Sequence, residues 1–271
     1  MSSKTIRFNR KGRLIVVTDI HGNKDDFDTY VDDIWNRDDP NCHILFTGDL
    51  IHEMEYSKDL SVEILDEVCH LLTLPNFHVL LGNHEFCQIM HDDVYKWGIN
   101  QTEDFKQHVQ DKCEWEDEYF LKLIAYEEIM KSFSYFAVTD NGFFISHAGP
   151  SYHNYGKDLD IFNMPAIDKS IDRLHNEAYN YYMEYLEEMI WARPYDDYME
   201  DRIDEFLAQV GCKFMVVGHT PCEGQAFHLL GNQIRYDSSF LAEDKYYLDI
   251  PLDRDFKDIY EVPKVLKKLG E

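Results

Sequence analysis

An aspartate and a histidine two residues apart, Asp19 and His21, follow the apolar run Ile15-Val16-Val17 and stand beside Gly22 and Asn23. The run reads as a buried β-strand and the cluster after it as the loop that ends it. While the backbone stays extended, side chains at i and i+2 point to one side, so this carboxylate and imidazole can grip a single cation. Carboxylate oxygen with neutral imidazole is an ordinary ligand mix for zinc, iron or manganese. Alone, Asp-x-His is more often a turn. The pattern recurs, however. His43-Ile44-Leu45-Phe46-Thr47 runs into Gly48-Asp49, and Phe77-His78-Val79-Leu80-Leu81 into Gly82-Asn83-His84-Glu85. Gly142-Phe143-Phe144-Ile145-Ser146 runs into His147-Ala148-Gly149, and Lys213-Phe214-Met215-Val216-Val217 into Gly218-His219-Thr220-Pro221. Five strand-like runs thus end on Asp, Asn or His, and three of those residues directly follow a glycine. A glycine there lets the chain turn sharply and lets backbone come close to an ion or phosphate. Open α/β sheets bind ligands outside the carboxyl ends of their strands, where all five clusters would lie.

The elements that must position these residues can be read from periodicity. Residues 58–74 carry Leu60, Ile64, Leu65, Val68, Leu71 and Leu72 at helical spacing, closed by Pro75, which predicts a crossover helix between two parallel strands. The interval 86–135 is polar and aromatic, largely helical over 103–130, with the acidic run 114–119; a solvated helix with a Trp/Tyr/Phe core face accounts for most of it. A second helical block over 166–193 places Tyr179, Tyr182, Met183, Leu186, Met189 and Ile190 on a core stripe. Short strands are expected over 225–229, 233–236 and 245–250, with a turn at Gly231-Asn232, and a short terminal helix over 258–271 broken at Pro263.

Taken in order, Asp-x-His at 19–21, Gly-Asp at 48–49, Gly-Asn-His-Glu at 82–85, His-Ala-Gly at 147–149 and Gly-His-Thr-Pro at 218–221 resemble the calcineurin-like metallophosphoesterases. Within them they resemble the phosphoprotein phosphatase branch and the symmetrical dinucleoside tetraphosphate hydrolases, because Pro221 stands where broader relatives carry a further metal-binding histidine. The resemblance covers roughly residues 13–240 and implies an α/β fold, a four-layer α/β/β/α sandwich. It also implies one domain over 1–271, with helical insertions at about 90–135 and 160–193.

It further implies two divalent metal ions, manganese first and iron or zinc as alternatives. Asp19, His21 and Asp49 would hold the first, and Asn83, His147 and His219 would complete the second, with Asp49 bridging. Two metals clamp the attacking and leaving oxygens of an in-line displacement, and a water they share is acidified toward hydroxide near neutral pH. His84 is the implied general acid or phosphoryl contact, and Arg193, in Trp191-Ala192-Arg193-Pro194, matches a phosphate-binding arginine of bacterial and phage-type phosphatases. Two departures stand out. The family's Gly-Asp-x-Val-Asp-Arg-Gly is here Gly48-Asp49-Leu50-Ile51-His52-Glu53-Met54, so His52 replaces the Asp that orients the catalytic His and Glu53 replaces a phosphate-gripping arginine. Phe86, Cys87 and Gln88 stand where another arginine is usual. Glu53 is expected to face away from phosphate, and His52 or Glu55 to orient His84. With Glu53 in place of the arginine, Arg193 is the main side-chain cation expected beside the transferred group.

Composition bounds the rest. With 271 residues, 52 acidic and 26 basic, the net charge is −26, and two divalent ions would leave −22 (−26 + 4). Such a field repels polyanions, so no nucleic-acid partner is expected. A chain this long can bury about 75% of its unfolded surface. The first residues carry Lys4, Arg7, Arg10 and Lys11 without an apolar stretch, and no run approaches a membrane span. The six cysteines show no framework spacing, so a cytoplasmic enzyme with reduced thiols is expected. The function expected first is hydrolysis of phosphoserine and phosphothreonine in proteins, with phosphotyrosine second; the alternatives are a hydrolase of dinucleoside polyphosphates or other small phosphate esters, and a metal-binding adaptor with weakened catalysis.

Overall fold

The structure is a computed structural model and describes residues 4–53, 59–96, 98–153, 160–239 and 242–270. The chain enters with β1 (Thr5–Phe8) and β2 (Arg13–Val17) and passes through α1 (Lys24–Asp28), a π-helical turn (Thr29–Ile34), β3 (Cys42–Phe46), α2 (Ser61–Leu71), β4 (Phe77–Val79) and α3 (Asn83–Met90). A short hairpin, β5 (Tyr95–Lys96) and β6 (Ile99–Asn100), leads to α4 (Gln101–Asp111) and α5 (Glu116–Ser132). Then come β7 (Phe136–Thr139), β8 (Phe143–Ile145), α6 (Glu177–Trp191), α7 (Glu200–Val210) and β9 (Phe214–Val217). β10 (His228–Leu230), β11 (Gln233–Arg235), β12 (Tyr246–Pro251) and β13 (Leu266–Lys268) follow.

The strands form two main sheets, ordered β13-β12-β2-β3-β4 and β1-β7-β8-β9-β11-β10. β2, β3 and β4 run parallel, with Val16 opposite Leu45 and Leu45 opposite His78, and β8 runs parallel to β9. Parallel strands need crossovers, and α2 is the one expected between β3 and β4, burying Ile64, Leu65, Val68 and Leu71. Alternation along each strand divides its side chains between two apolar layers. Leu14, Val16 and Leu45 meet Phe143, Ile145, Phe214, Val216 and Ile234 in the interior between the sheets. Ile15, Val17, Ile44 and Phe46 belong instead to the outer cluster with Phe27, Val62 and Leu65, the rings of Phe27 and Phe46 stacking at 5.2 Å. Phe144 and Met215 cluster with Met183, Leu186 and Phe206 of the α6 and α7 layer. The result is the four-layer α/β/β/α sandwich. No helix among the described residues is long and apolar enough to cross a membrane, and all six cysteines are free.

Three local expectations need correction. The 258–271 end is not a helix broken at Pro263 but a 3-10 segment, Ile259–Val265, that contains the proline and feeds β13. Pairing with β12 there supplies the backbone partners that a helix would have offered. The aromatic core face expected over 86–135 is formed by Phe105 and Tyr126 but does not extend to the acidic stretch: Trp115 and Phe120 are exposed, and α5 buries only Tyr126 and Met130 among its described residues. Its packing against α3 and α4 therefore rests on few large side chains. Asn83 and His84, expected in a loop, form the first turn of α3.

One feature between the sheets carries a stability consequence. Nδ1 of His43 and Nε2 of His78 lie 3.2 Å apart, with Phe8 edge-on to both rings at 5.2 and 5.1 Å. A single N–H serves that contact, so one ring donates to the bare nitrogen of the other. Burial, with help from His43, holds the His78 pKa down to about 4 and burial also lowers that of His43. Unfolded imidazoles protonate near about 6.5. The contribution of His78 is therefore full above about 6.5 and is lost as the pH falls toward the folded value. His78→Gln keeps a hydrogen-bonding partner but has no proton to gain. Urea unfolding should show its stability falling by roughly 2–3 kcal/mol less than wild type between about pH 7 and about pH 4.5; parallel slopes would place His78 in water.

Candidate metal centre

Each strand that ends on a ligand candidate delivers it to the same edge of the sandwich. Asp19 and His21 follow β2, Asp49 follows β3, Asn83 opens α3 after β4, His147 follows β8 and His219 follows β9. Asp49 is central. Its Oδ2 is 3.7 Å from His21 Nε2, 3.4 Å from His147 Nε2 and 3.9 Å from His84 Nε2. Asp19 Oδ2 lies 3.8 Å from His21 Nε2, and Asp19 Oδ1 lies 4.0 Å from His147 Nδ1. His147 Nε2 is 2.9 Å from Asn83 Oδ1, and the rings of His147 and His219 are 5.1 Å apart. Two sets, His21–Asp49–His84 and Asp49–His147–His219, have donor atoms within 4.8 Å of one another. All six residues expected at a metal centre are thus brought together, and His84 joins them.

The donor set fits divalent ions on its chemistry. Burial raises the pKa of Asp19 and, with the nearby Asp19 and Glu85 charges, raises that of Asp49 further. Carboxylates so placed stay ionised only beside a cation. Burial also keeps the imidazoles neutral, with His21 near 4, His147 near 3 and His219 well below its usual value; neutral imidazole is the ligating form. Outer partners orient the rings. His21 Nδ1 is 3.1 Å from the His52 carbonyl, His147 Nδ1 is 3.1 Å from the Thr47 carbonyl, and His219 Nε2 is 3.1 Å from the Trp191 carbonyl. A carbonyl accepts only from N–H, so the other nitrogen of each ring carries the free lone pair. The amide Nδ2 of Asn83 is buried without a hydrogen-bond partner, while its oxygen faces His147.

Backbone geometry explains how five loops approach so closely. His21, Asp49, His52 and His219 all have positive φ, between 49° and 67°, a conformation costly for residues with a Cβ and frequent at functional sites. The glycines make room. A Cβ on Gly82 would meet Asp49 Oδ1 at 2.2 Å, and one on Gly218 would meet Asp19 Oδ1 at 2.4 Å. The residue that fastens the loops is Glu85, which is wholly buried. Its Oε2 accepts from the N–H of Asp49 at 2.8 Å and of Gly82 at 3.1 Å, and its Oε1 from the N–H of Leu50 at 2.6 Å. Burial raises its pKa and the backbone donors pull it down; with N–H groups on both oxygens, the carboxylate is the form that fits. The motif marks Glu85 without showing this role, because apart from Gly82 its partners Asp49, Leu50 and Ile51 lie more than thirty residues away in the loop after β3.

His84 and its surroundings follow the departure at His52. His84 Nδ1 is 3.0 Å from His52 Nδ1, and His52 Nε2 is 3.1 Å from Gln88 Oε1. The amide oxygen accepts from His52 Nε2–H, so His52 Nδ1 accepts from His84 Nδ1–H, and the His84 Nε2 lone pair faces Asp49. His52 therefore contacts His84 as expected of an orienting residue, whereas Glu55 lies outside the described residues. A cavity of about 130 Å³ opens before Asp19, His21 and His219, with Arg193, Asp237 and Ser238 on its walls. Glu53 does not line it; its carbonyl accepts from the Gln101 side chain. Lys96, which no motif marks, does line it, so Arg193 is not the one cation there.

Replacing Glu85 tests the fastening. Glu85→Gln turns an NH₂ group toward backbone N–H donors and should cost about 3 kcal/mol, read as a lower urea midpoint with an unchanged slope. A loss under about 1 kcal/mol would mean that the loops hold without this carboxylate.

Residues 12–223 match the family model described as calcineurin-like phosphoesterase. Comparison with curated protein sequences returned no significant match. Among solved structures, a cold-active protein-tyrosine phosphatase of the psychrophile Shewanella sp. aligns over 98% of this chain and 84% of its own, at 19% identity and a TM-score of 0.64. A protein serine/threonine phosphatase from Saccharomyces cerevisiae, with similarity to human phosphatase PP5, aligns over 100% of this chain and 84% of its own, at 15% identity and a TM-score of 0.62. These likenesses show the shared fold. With the matched segment spanning every cluster from Asp19 to His219, the chain belongs to the calcineurin-like phosphoesterase family.

Proposed function

We propose that the protein removes phosphate from phosphorylated side chains of proteins or peptides at a centre of two divalent ions, with phosphotyrosine preferred over phosphoserine and phosphothreonine. The observation that carries the metal-centred reading is the convergence of Asp19, His21, Asn83, His147 and His219 on the buried Asp49. In this reading Asp19, His21 and Asp49 hold one ion, and Asp49, Asn83, His147 and His219 hold the other. Bound there, the ions would neutralise charge building on the phosphoryl oxygens and acidify a water between them. The amide oxygen of Asn83 adds a ligand without adding charge. The planar Arg193 guanidinium on the cavity wall suits a phosphoryl group.

His84 serves the leaving oxygen. A carboxylate against its Nδ1 would favour the imidazolium, but His52 occupies that place, and burial keeps its pKa near 4. Burial and the neighbouring imidazoles push the His84 pKa well down. With an imidazole rather than a carboxylate on its Nδ1, a protonated His84 lacks a counter-charge on that side. Substrates whose leaving group needs least protonation, aryl phosphates such as phosphotyrosine, gain over alkyl esters. The two neighbours named above, one called a tyrosine and one a serine/threonine phosphatase, stand on either side of that choice.

A panel of phosphopeptides and dinucleoside tetraphosphate with manganese tests this. Phosphotyrosine peptides should lead phosphoserine peptides by at least about tenfold in kcat/KM. Faster turnover of the dinucleotide would transfer the assignment to small phosphate esters, and no turnover of any aryl phosphate would leave a metal-binding adaptor. On the same panel His84→Asn should cost alkyl substrates more of the ~10²–10⁴-fold that general acid catalysis supplies than aryl ones; equal losses would make His84 a binding group. Elemental analysis of Asp49→Asn should find both ions reduced together. Full double occupancy would remove Asp49 as the shared ligand.

A further inference from the structure

The two arginines missing from the motifs leave the transferred phosphate with little side-chain grip, unless another cation reaches it. We propose that Lys96, on the β5–β6 hairpin, is the second arm of the phosphate clamp beside Arg193. This inference rests on the phosphatase reading above and names a residue that no motif identifies.

Four observations carry it. Lys96 and Arg193 line the same cavity, whose other walls include Asp19, His21 and His219 of the metal centre. The two cations lie within electrostatic reach: burial lowers the pKa of Lys96, and the Arg193 charge lowers it further. Two like charges converging on one polar cavity are relieved by an anion bound between them. Asp19 and Asp237 share that lining, so in a chain of net charge −26 Lys96 and Arg193 supply the cavity's side-chain attraction for a phosphate dianion. The hairpin is also held in position rather than free. Lys96 pairs with Ile99 across it, Gln101 N–H donates to the Val94 carbonyl at 2.7 Å, and the Thr102 hydroxyl donates to the Asp92 carbonyl at 2.7 Å. The Gln101 amide in turn donates to the Glu53 carbonyl. The hairpin is thus tied to the very loop where Glu53 replaced an arginine, and it returns a positive charge to the site from a different direction.

Lysine is not an equivalent of arginine. An ammonium on a flexible stem is a point charge with no fixed fork, so it grips the bound ester and the transition state to similar degrees. Loss of such uniform binding raises KM and leaves kcat nearly unchanged. Loss of the planar Arg193, aimed at one arrangement of oxygens, should lower kcat as well.

The experiment compares metal-loaded wild type, Lys96→Met, Lys96→Arg and Arg193→Ala. Binding of inorganic phosphate is measured by calorimetry, kinetics on p-nitrophenyl phosphate, and metal content by elemental analysis. Lys96→Met should bind phosphate at least about tenfold more weakly and raise KM by a similar factor. Metal content should hold, and Lys96→Arg should restore most of the affinity. Phosphate affinity unchanged in Lys96→Met while Arg193→Ala loses it would overturn the proposal, since the clamp then has one arm. Loss of metal in Lys96→Met, without rescue by Lys96→Arg, would also overturn it by making the lysine structural. The two readings fail separately. A wild type that binds phosphate through Lys96 but hydrolyses no ester would sink the phosphatase assignment and keep the clamp. An active wild type indifferent to Lys96 would do the reverse.

Discussion

Glu85 sits in the first turn of α3 with both carboxylate oxygens turned onto backbone N–H groups of Gly82, Asp49, Leu50 and Ile51. Hydrogen bonds to a charged acceptor are about twice as strong as neutral ones, and leaving such a charge unpaired in the interior is costly. This one side chain therefore fixes the loop after β3 against the loop after β4. The consequences spread outward. Asp49, held at positive φ, accepts the His84 N–H at 3.0 Å and so caps the helix that carries His84. The Asp49 carbonyl accepts the N–H groups of Ile20 and His21, and the Ile51 and His52 carbonyls face His21 Nδ1. Asp19 in turn accepts the His219 N–H through both oxygens at 3.1 Å. Four loops from two sheets are thus fastened in sequence from one buried charge.

Such fastening keeps the site in conformations the chain would otherwise avoid. Four of its non-glycine residues have left-handed backbone, each costing on the order of 1–3 kcal/mol. They persist because the surrounding hydrogen bonds and the sandwich core over-determine them. The benefit is compactness. With Gly82 and Gly218 bringing backbone against Asp49 and Asp19, carboxylates and imidazoles from distant segments share a space a few ångströms across. The same compression excludes water, which explains why the imidazole pKa values fall and the carboxylate values rise together.

Substitution at the edge of this arrangement has altered its chemistry without disturbing its frame. His52 occupies a left-handed position, donates its N–H to Ser61 at 3.0 Å, and meets both His84 and Gln88 with its ring. A neutral imidazole there preserves the orientation of His84 while withholding the negative charge that an aspartate would bring. The cavity's cations come from outside the strand-end loops: Arg193 follows α6, and Lys96 lies on the hairpin after α3. The frame belongs to the strands, and Lys96 and Arg193 reach the cavity from the segments inserted between them.

The sequence alone determined the sheet edges and the donors. A run of apolar residues ending on Gly-Asp or Gly-Asn-His is a local signal, because strand periodicity, glycine turns and ligand chemistry are all properties of residues a few positions apart. For the same reason the crossover helix α2 and the core stripe of α6 were legible from Ile64, Leu65 and Val68, and from Met183, Leu186 and Met189. The terminal 3-10 segment and strand were not, since β13 exists only through its pairing with β12. Nor was the exposure of Trp115 legible, because burial depends on what packs opposite. The role of Glu85, the contact of His52 with His84 and the arrival of Lys96 at the cavity were decided by tertiary structure. Each joins residues roughly thirty to a hundred positions apart, and only the closed sandwich determines which of the many polar side chains in those intervals meet.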